Sequence, residues 1–389
     1  MFSQRTEWPR SPNALALATD DRRRAGRPIL DLTGSNPAAA GIARPTARIL
    51  EALGRPSGLS YQPDPRGLPS ARAALARWLS RDGRPALSPD RLLLTSSTSE
   101  AYGYLFKLLA DPGEAVVAPS PSYPLFEYLA GLEGIGLRPY RLAYDGDWHL
   151  DRESVRAAAA PGARAIVALH PNNPTGSFLK SEELAFLTEL CAERGLALVS
   201  DEVFLDYPLR GDPARAPSAS AQSRCLTFTL GGLSKVAGLP ELKLGWIVAT
   251  GPDALVEQAL ERLEILADSY LSVGSPVQEA LPRILQDAPA FQASVLARLE
   301  ANLALATKSL APPSAGSVLH VEGGWTLVLR LPAIRTGEAW ALWLLETEGL
   351  LVQPGYFYDF EREAFLVVSL LTPCHHFAEG MERLRRSVG

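Results

Sequence analysis

Apolar residues along this chain follow two periods, and the switch between them marks out its elements. Leu68, Ala71, Ala74, Leu75 and Leu79 recur at the three-to-four spacing of an amphipathic helix, which predicts a helix over 68–81. Another is read over 45–54. From about residue 90 short unbroken apolar runs take over, at 91–95, 115–118, 165–170, 196–200 and 225–230, with helical stretches between them. Such runs are strands buried on both faces, so the pattern predicts a mainly parallel α/β sheet sandwiched by helices. Ser97 followed three residues later by Glu100 is a capping-box pattern and starts a helix. Further on, 244–249 reads as an antiparallel return strand, 253–271 as a helix and 288–310 as a long helix linking two domains. Strand and helix alternate again over 323–387; with a strand at 28–33 these make a small α+β domain. The expected division is 1–45 with 290–389 (small) and 46–289 (large). Residues 1–27 read as a solvated, loosely held arginine-rich arm with a short helix.

The candidate chemistry sits where these runs end. Open α/β sheets bind ligands at the C-terminal ends of their strands. There the chain places Tyr123 in Pro-Ser-Pro-Ser-Tyr-Pro, Asn173 in His-Pro-Asn-Asn-Pro-Thr-Gly, Asp201 in Ser-Asp-Glu-Val-Phe, and Lys235 in Gly-Gly-Leu-Ser-Lys-Val-Ala-Gly. Each has an ordinary reading alone. A lone lysine is a solvated surface group, and Asn-Pro and Thr-Gly are turn dipeptides. An aspartate after a strand is either a cap or a buried carboxylate in need of a partner. Ser97 and Thr98 open the predicted helix, where free N–H groups and the helix dipole make an anion site.

Together, in this order and spacing, these stretches resemble the fold-type I aminotransferases of class I/II, which bind pyridoxal 5′-phosphate. The resemblance runs from about residue 30 to the C-terminus. It implies transfer of an amino group from a donor to a 2-oxo acid, with Lys235 forming the Schiff base and later moving a proton at the substrate Cα. That role needs a neutral amine, which burial favours. Asp201 would pair with the protonated pyridine nitrogen and Asn173 would reach the phenolic oxygen. Tyr123 would stack on the ring, and Ser97, Thr98 and Ser234 would hold the phosphate. Tyr61 resembles a tyrosine that reaches the phosphate from a neighbouring subunit, implying a homodimer with shared sites. Four positions depart from the family pattern. Gly232 replaces a phosphate-binding serine. Lys243 stands where an arginine forks onto the phosphate, keeping the charge without the bidentate geometry. Phe204 replaces a tyrosine that donates to the phenolic oxygen. Val367 stands where an arginine holds the substrate carboxylate, leaving Arg330, Tyr356 and Tyr358 as candidate substitutes. The same fold also supports lyases, decarboxylases and cyclising enzymes, and regulators that carry an added DNA-binding domain.

Composition narrows the classes. Of 389 residues, 47% are hydrophobic and 21% charged, an ordinary globular balance. A net charge of −5 favours neither nucleic acid nor an anionic membrane as partner. Three cysteines make no disulfide framework, which fits a cytoplasmic protein. No secretory signal pattern opens the chain, and Cys374-His375-His376 lacks the spaced partners of a metal site.

Overall fold

Four of the five apolar runs form strands of one parallel block, the run at 91–95 pairs with an antiparallel neighbour, and residues along all five alternate between two buried faces. The computed structural model describes residues 1–59, 63–82, 84–271, 273–361 and 364–388. Its main sheet has eight strands, in the order Leu92–Thr95, Gly245–Thr250, Thr227–Gly232, Ala197–Asp201, Ala163–Leu169, Ala115–Ser120, Gly136–Tyr144 and Trp148–Leu150. Gly245–Thr250 runs antiparallel to both neighbours, as a return strand should. The five strands from Thr227–Gly232 to Gly136–Tyr144 are parallel, and Trp148–Leu150 closes a hairpin at the edge. Val116, Ala118, Val167 and Val199 pack with Tyr102 and Phe106 of helix Thr98–Leu109 and with helix Asp253–Tyr270. Val117, Ile166 and Leu198 belong to the opposite cluster, beside Leu187 and Leu190 of helix Ser181–Arg194. Burial on both faces is what a period-two strand with no polar side requires.

A second sheet has four antiparallel strands, ordered Ser317–Val318, Thr326–Arg330, Phe365–Ser369 and Gln353–Pro354. The strand expected over 28–33 shrinks to Leu30–Asp31, paired in parallel with Leu350–Leu351. The Asp31 carboxylate turns back to accept from the Thr33 N–H and hydroxyl, which ends the pairing there.

Two sequence expectations fail for identifiable reasons. The long helix starts not at 288 but at Ser275, and it runs to Ser309 through Pro282 and Pro289. An interior proline costs about 3 kcal/mol. The helix buries Leu281, Ile284 and Leu285 in one cluster and Phe291, Val295 and Leu299 in another. At about 1.5–3 kcal/mol for each large side chain, that burial outweighs the prolines. The N-terminal arm is also not free. Helix Ala14–Arg24 is capped by Asn13, and the buried Arg22 donates to the carbonyls of Pro28 and Glu346 at 3.0 Å each. Among the described residues, no helix is long and apolar enough to cross a membrane.

Candidate active site

Helix Thr98–Leu109 begins as its sequence predicts. The Ser97 hydroxyl accepts from the Glu100 N–H at 3.1 Å, and the Glu100 carboxylate accepts from the Ser96 N–H at 2.6 Å. The first-turn N–H groups of Thr98 and Ser99 have no partner within the helix. Glycines let the neighbouring strands lie against this turn. A Cβ on Gly245 would come 3.0 Å from the Ser97 carbonyl carbon, and one on Gly232 would lie 4.0 Å from the Thr98 side chain.

Strand Ala197–Asp201 carries Asp201 at its C-terminal end. The carboxylate accepts from the Tyr102 hydroxyl at 3.0 Å and from the Val203 N–H at 3.1 Å. Burial pushes the carboxyl up to about 6, against the pull of those two donors and of Lys235. The next strand, Thr227–Gly232, turns into the short helix Leu233–Val236, which bears Ser234 and Lys235. The Lys235 Nζ lies 4.8 Å from the Trp325 ring centre and 5.4 Å from that of Phe204. Burial brings this amine down to about 8, opposed by the charge of Asp201. The neutral amine is therefore better populated near neutral pH than in a solvated lysine.

The loop carrying Asn173 has cis bonds at His170–Pro171 and Asn173–Pro174. Asn172 ties it to the Tyr123 loop by donating to the Pro121 carbonyl at 3.3 Å. The Asn173 side-chain oxygen accepts from the Thr326 hydroxyl at 3.4 Å. His170 is a fully buried structural residue: its Nδ1 accepts from the Leu179 N–H, its Nε2 meets the Ala216 carbonyl, and burial lowers its pKa to about 3. Tyr123 is exposed on one side, and burial together with the Asp201 charge raises its phenol.

Lys235, Asp201, Phe204 and Tyr123 thus share one neighbourhood, with the Asn173 loop tied to the Tyr123 loop and Ser97 and Thr98 at the adjacent helix start. Lys243 is exposed, with a left-handed backbone and no ion pair among the described residues. Tyr61 lies outside the described residues. Tyr207, three residues after Phe204, does not supply the missing hydroxyl, because its own donates to the Lys235 carbonyl. Val367 is fully buried, in register with Val328 and Gln353. Arg330 is exposed at the end of its strand. It ends the strand whose first residue, Thr326, touches the Asn173 loop, roughly 13 Å away at about 3.3 Å per residue. It lines a groove of about 360 Å³ with Arg141, Trp148 and Phe360, which also takes in Ser120 and Pro121 beside the Tyr123 loop. Tyr356 bonds Glu338 at 3.3 Å. Tyr358 bonds Gln353, and its carbonyl accepts from the Ser122 N–H at 2.9 Å, beside the Tyr123 loop. Sequence reasoning missed Tyr102 and Trp325. Tyr102 was detectable as a polar tip in the first turns of a capped helix, whereas nothing in the sequence links Trp325 to Lys235.

An open, mainly parallel sheet with a partly neutral lysine and a buried carboxylate at adjoining strand ends defines an α/β enzyme scaffold. The profile of the family "Aminotransferase class I and II" matches residues 29–382, and the chain belongs to that family. Its fold is that of fold-type I aminotransferases: the alanine aminotransferase structure from Pyrococcus furiosus superposes with a TM-score of 0.90 at 22% identity, covering 100% of this chain and 99% of that one. Nicotianamine aminotransferase 1 of Oryza sativa subsp. japonica is 29% identical over 280 residues, 70% of this chain and 56% of the relative. S-alkyl-thiohydroximate lyase SUR1 of Arabidopsis thaliana is 30% identical over 242 residues, 62% of this chain and 52% of the relative. The chain thus spans a little over half the length of those two curated relatives.

Proposed function

We propose that this chain is a pyridoxal 5′-phosphate-dependent aminotransferase that moves an amino group from an amino donor to a 2-oxo acid. The observation that carries the reading is the Lys235 amine, packed against two aromatic rings beside the buried Asp201 carboxylate. The residues present suit the cofactor. Asp201 is a buried acid whose direct partners are one hydroxyl and one N–H, so a cationic ring nitrogen would complete it. The first turn at Ser97 and Thr98, with Ser234 and Lys243, suits a phosphate. When bound, the cofactor supplies an aldehyde that reacts with amines and a ring that takes up electrons. Lys235 contributes a neutral amine and takes and returns the proton at the substrate Cα. Asp201 holds the cofactor's ring nitrogen protonated, Asn173 donates to its phenolic oxygen, Phe204 packs beside it, and Tyr123 covers the ring.

In our reading the site lies between a large unit, 46–289, and a small one, 1–45 with 290–389. The working protein is a cytoplasmic homodimer; its three free cysteines fit a reducing compartment. A lyase reaction on the same residues is the second reading, supported by the similarity to a lyase and by the uncharged Val367. Borohydride should fix the cofactor to a peptide containing Lys235; label on another lysine ends both readings. A panel of amino donors then decides between them. Transamination yields pyridoxamine phosphate and a 2-oxo acid, whereas a lyase releases a fragment and leaves the cofactor as pyridoxal phosphate.

A further inference from the structure

Trp325 is 2% exposed, yet its indole N–H meets no hydrogen-bond acceptor among the described residues. Buried N–H groups are nearly always paired, and an unpaired one is costly. Its carbonyl accepts from the Leu370 N–H at 2.8 Å, and the flanking Gly324 N–H and Thr326 hydroxyl donate to the Tyr207 and Pro174 carbonyls at 3.0 Å each. The ring stands edge-on to Phe204 and Tyr207, with centres 5.3 and 5.2 Å apart, so its position is fixed by packing. Two nearby hydroxyls already have acceptors, Tyr207 on the Lys235 carbonyl and Tyr102 on Asp201, and Phe204 has none to offer.

We propose that the Trp325 indole N–H is a recognition donor, which hydrogen-bonds an anionic oxygen of the molecule bound at Lys235. An anionic acceptor makes the stronger bond to a neutral donor in a buried setting. The inference rests on the functional reading above. The oxygen has two possible sources, the phenolate of the cofactor or the carboxylate of the substrate.

The test uses the cofactor-loaded protein and Trp325→Phe, which keeps a ring against Phe204 and Tyr207 but removes the donor. Trp78→Phe serves as control, because Trp78 also has a buried, unpaired indole N–H but lines a different cavity, with Glu202 and Trp246. Two quantities are read: the pH midpoint of the cofactor–lysine absorbance band, and the Kd of 3-phenylpropionate, a carboxylate with no amino group. The titratable groups around the oxygen, Lys235, Asp201, Tyr102, Tyr123 and Tyr207, are the same in both proteins, so a shift reports the donor. If the phenolate is the acceptor, Trp325→Phe raises the midpoint by about one unit or more, since loss of the donor disfavours the deprotonated form. If a carboxylate is the acceptor, 3-phenylpropionate binds about tenfold more weakly and the midpoint stays. Both quantities unchanged, in a Trp325→Phe protein that still holds cofactor, overturn the proposal. So does an equal shift in Trp78→Phe. Should Trp325→Phe not fold, the unaltered protein supplies the test: one of its seven indole N–H proton resonances should move downfield on adding cofactor or 3-phenylpropionate, and none moving overturns the proposal. Failure of borohydride to label Lys235 in the unaltered protein overturns the functional reading, and this inference with it.

Discussion

Replacing Asp201 with asparagine should separate stability from function. Burial lifts the Asp201 carboxyl to about 6, against an unfolded value near 3.9. The folded chain therefore binds this proton more tightly than the unfolded chain. The contribution is fully present below about pH 4 and is lost as pH rises through about 6, where the carboxylate ionises in its buried setting. A gap of about 2 units is worth about 3 kcal/mol. Asparagine has the same shape, keeps an acceptor for the Val203 N–H, and lets the Tyr102 hydroxyl turn to accept instead of donate. Cofactor-free Asp201→Asn should therefore be more stable than the unaltered protein at pH 8, by up to about 3 kcal/mol, and no more stable at pH 4. The figure is an upper bound, because Lys235 loses the upward pull of Asp201 and its own charge becomes costlier. Equilibrium urea unfolding at the two pH values measures the difference. The variant should also fail to retain cofactor, since a neutral amide cannot balance a protonated ring nitrogen. A variant less stable at pH 8, or one stabilised equally at both pH values, refutes the assignment of Asp201 as a buried, underpaired acid.

Three further outcomes are expected. Phe204→Tyr should lower the pH midpoint of the cofactor–lysine band by restoring a donor to the phenolic oxygen; Tyr207 cannot mask the effect, because its hydroxyl is on the Lys235 carbonyl. Equal midpoints would place residue 204 away from that oxygen. Lys243→Ala should weaken cofactor retention and Lys243→Arg should match or exceed the unaltered protein through its forked geometry, as read by equilibrium dialysis; identical affinity in all three removes Lys243 from the phosphate site. Val367→Arg should unfold at lower urea, by about 3 kcal/mol or more, because it buries an unpaired cation at a position with no exposure; a stable variant that turns over alanine faster would show that the position opens to substrate.

Much of this architecture is legible in the sequence because strands buried on both faces leave unbroken apolar runs. The loops at their ends are marked by proline, glycine and asparagine, so Tyr123, Asn173, Asp201 and Lys235 could be placed at strand ends before any coordinates. The helix at Ser97 was equally readable, since its cap is built from residues three apart. What escaped depends on partners distant along the chain. Arg22 looks solvated until Glu346 brings it a carbonyl from 324 residues away. Tyr102 looks like core until Asp201, 99 residues on, accepts its hydroxyl. The early start of helix Ser275–Ser309 escaped because its prolines announce a break that packing on two clusters overrides.

Two of the departures in sequence put an uncharged side chain where a polar one was expected, Phe204 beside Lys235 and Val367 in a separate buried cluster. Val328, Val367 and Gln353 stand side by side in register, so they share one face of the small sheet. No residue of that row is charged, and its polar member, Gln353, accepts from the buried Tyr358. Arg330, at the end of a strand of this sheet, lines the groove that includes Ser120, Pro121 and Arg141. Near the amine, Phe204 and Trp325 offer ring surface and a single N–H where a tyrosine hydroxyl was expected. Loss of a charge-assisted pair weakens binding of a carboxylate by about 1.5–3 kcal/mol, roughly tenfold to a hundredfold. If Val367 marks the carboxylate site, an aromatic amino donor should bind this protein more tightly than alanine does, as read by loss of the cofactor–lysine absorbance band. Alanine bound as tightly as the aromatic donor, or turned over as fast, would refute this reading.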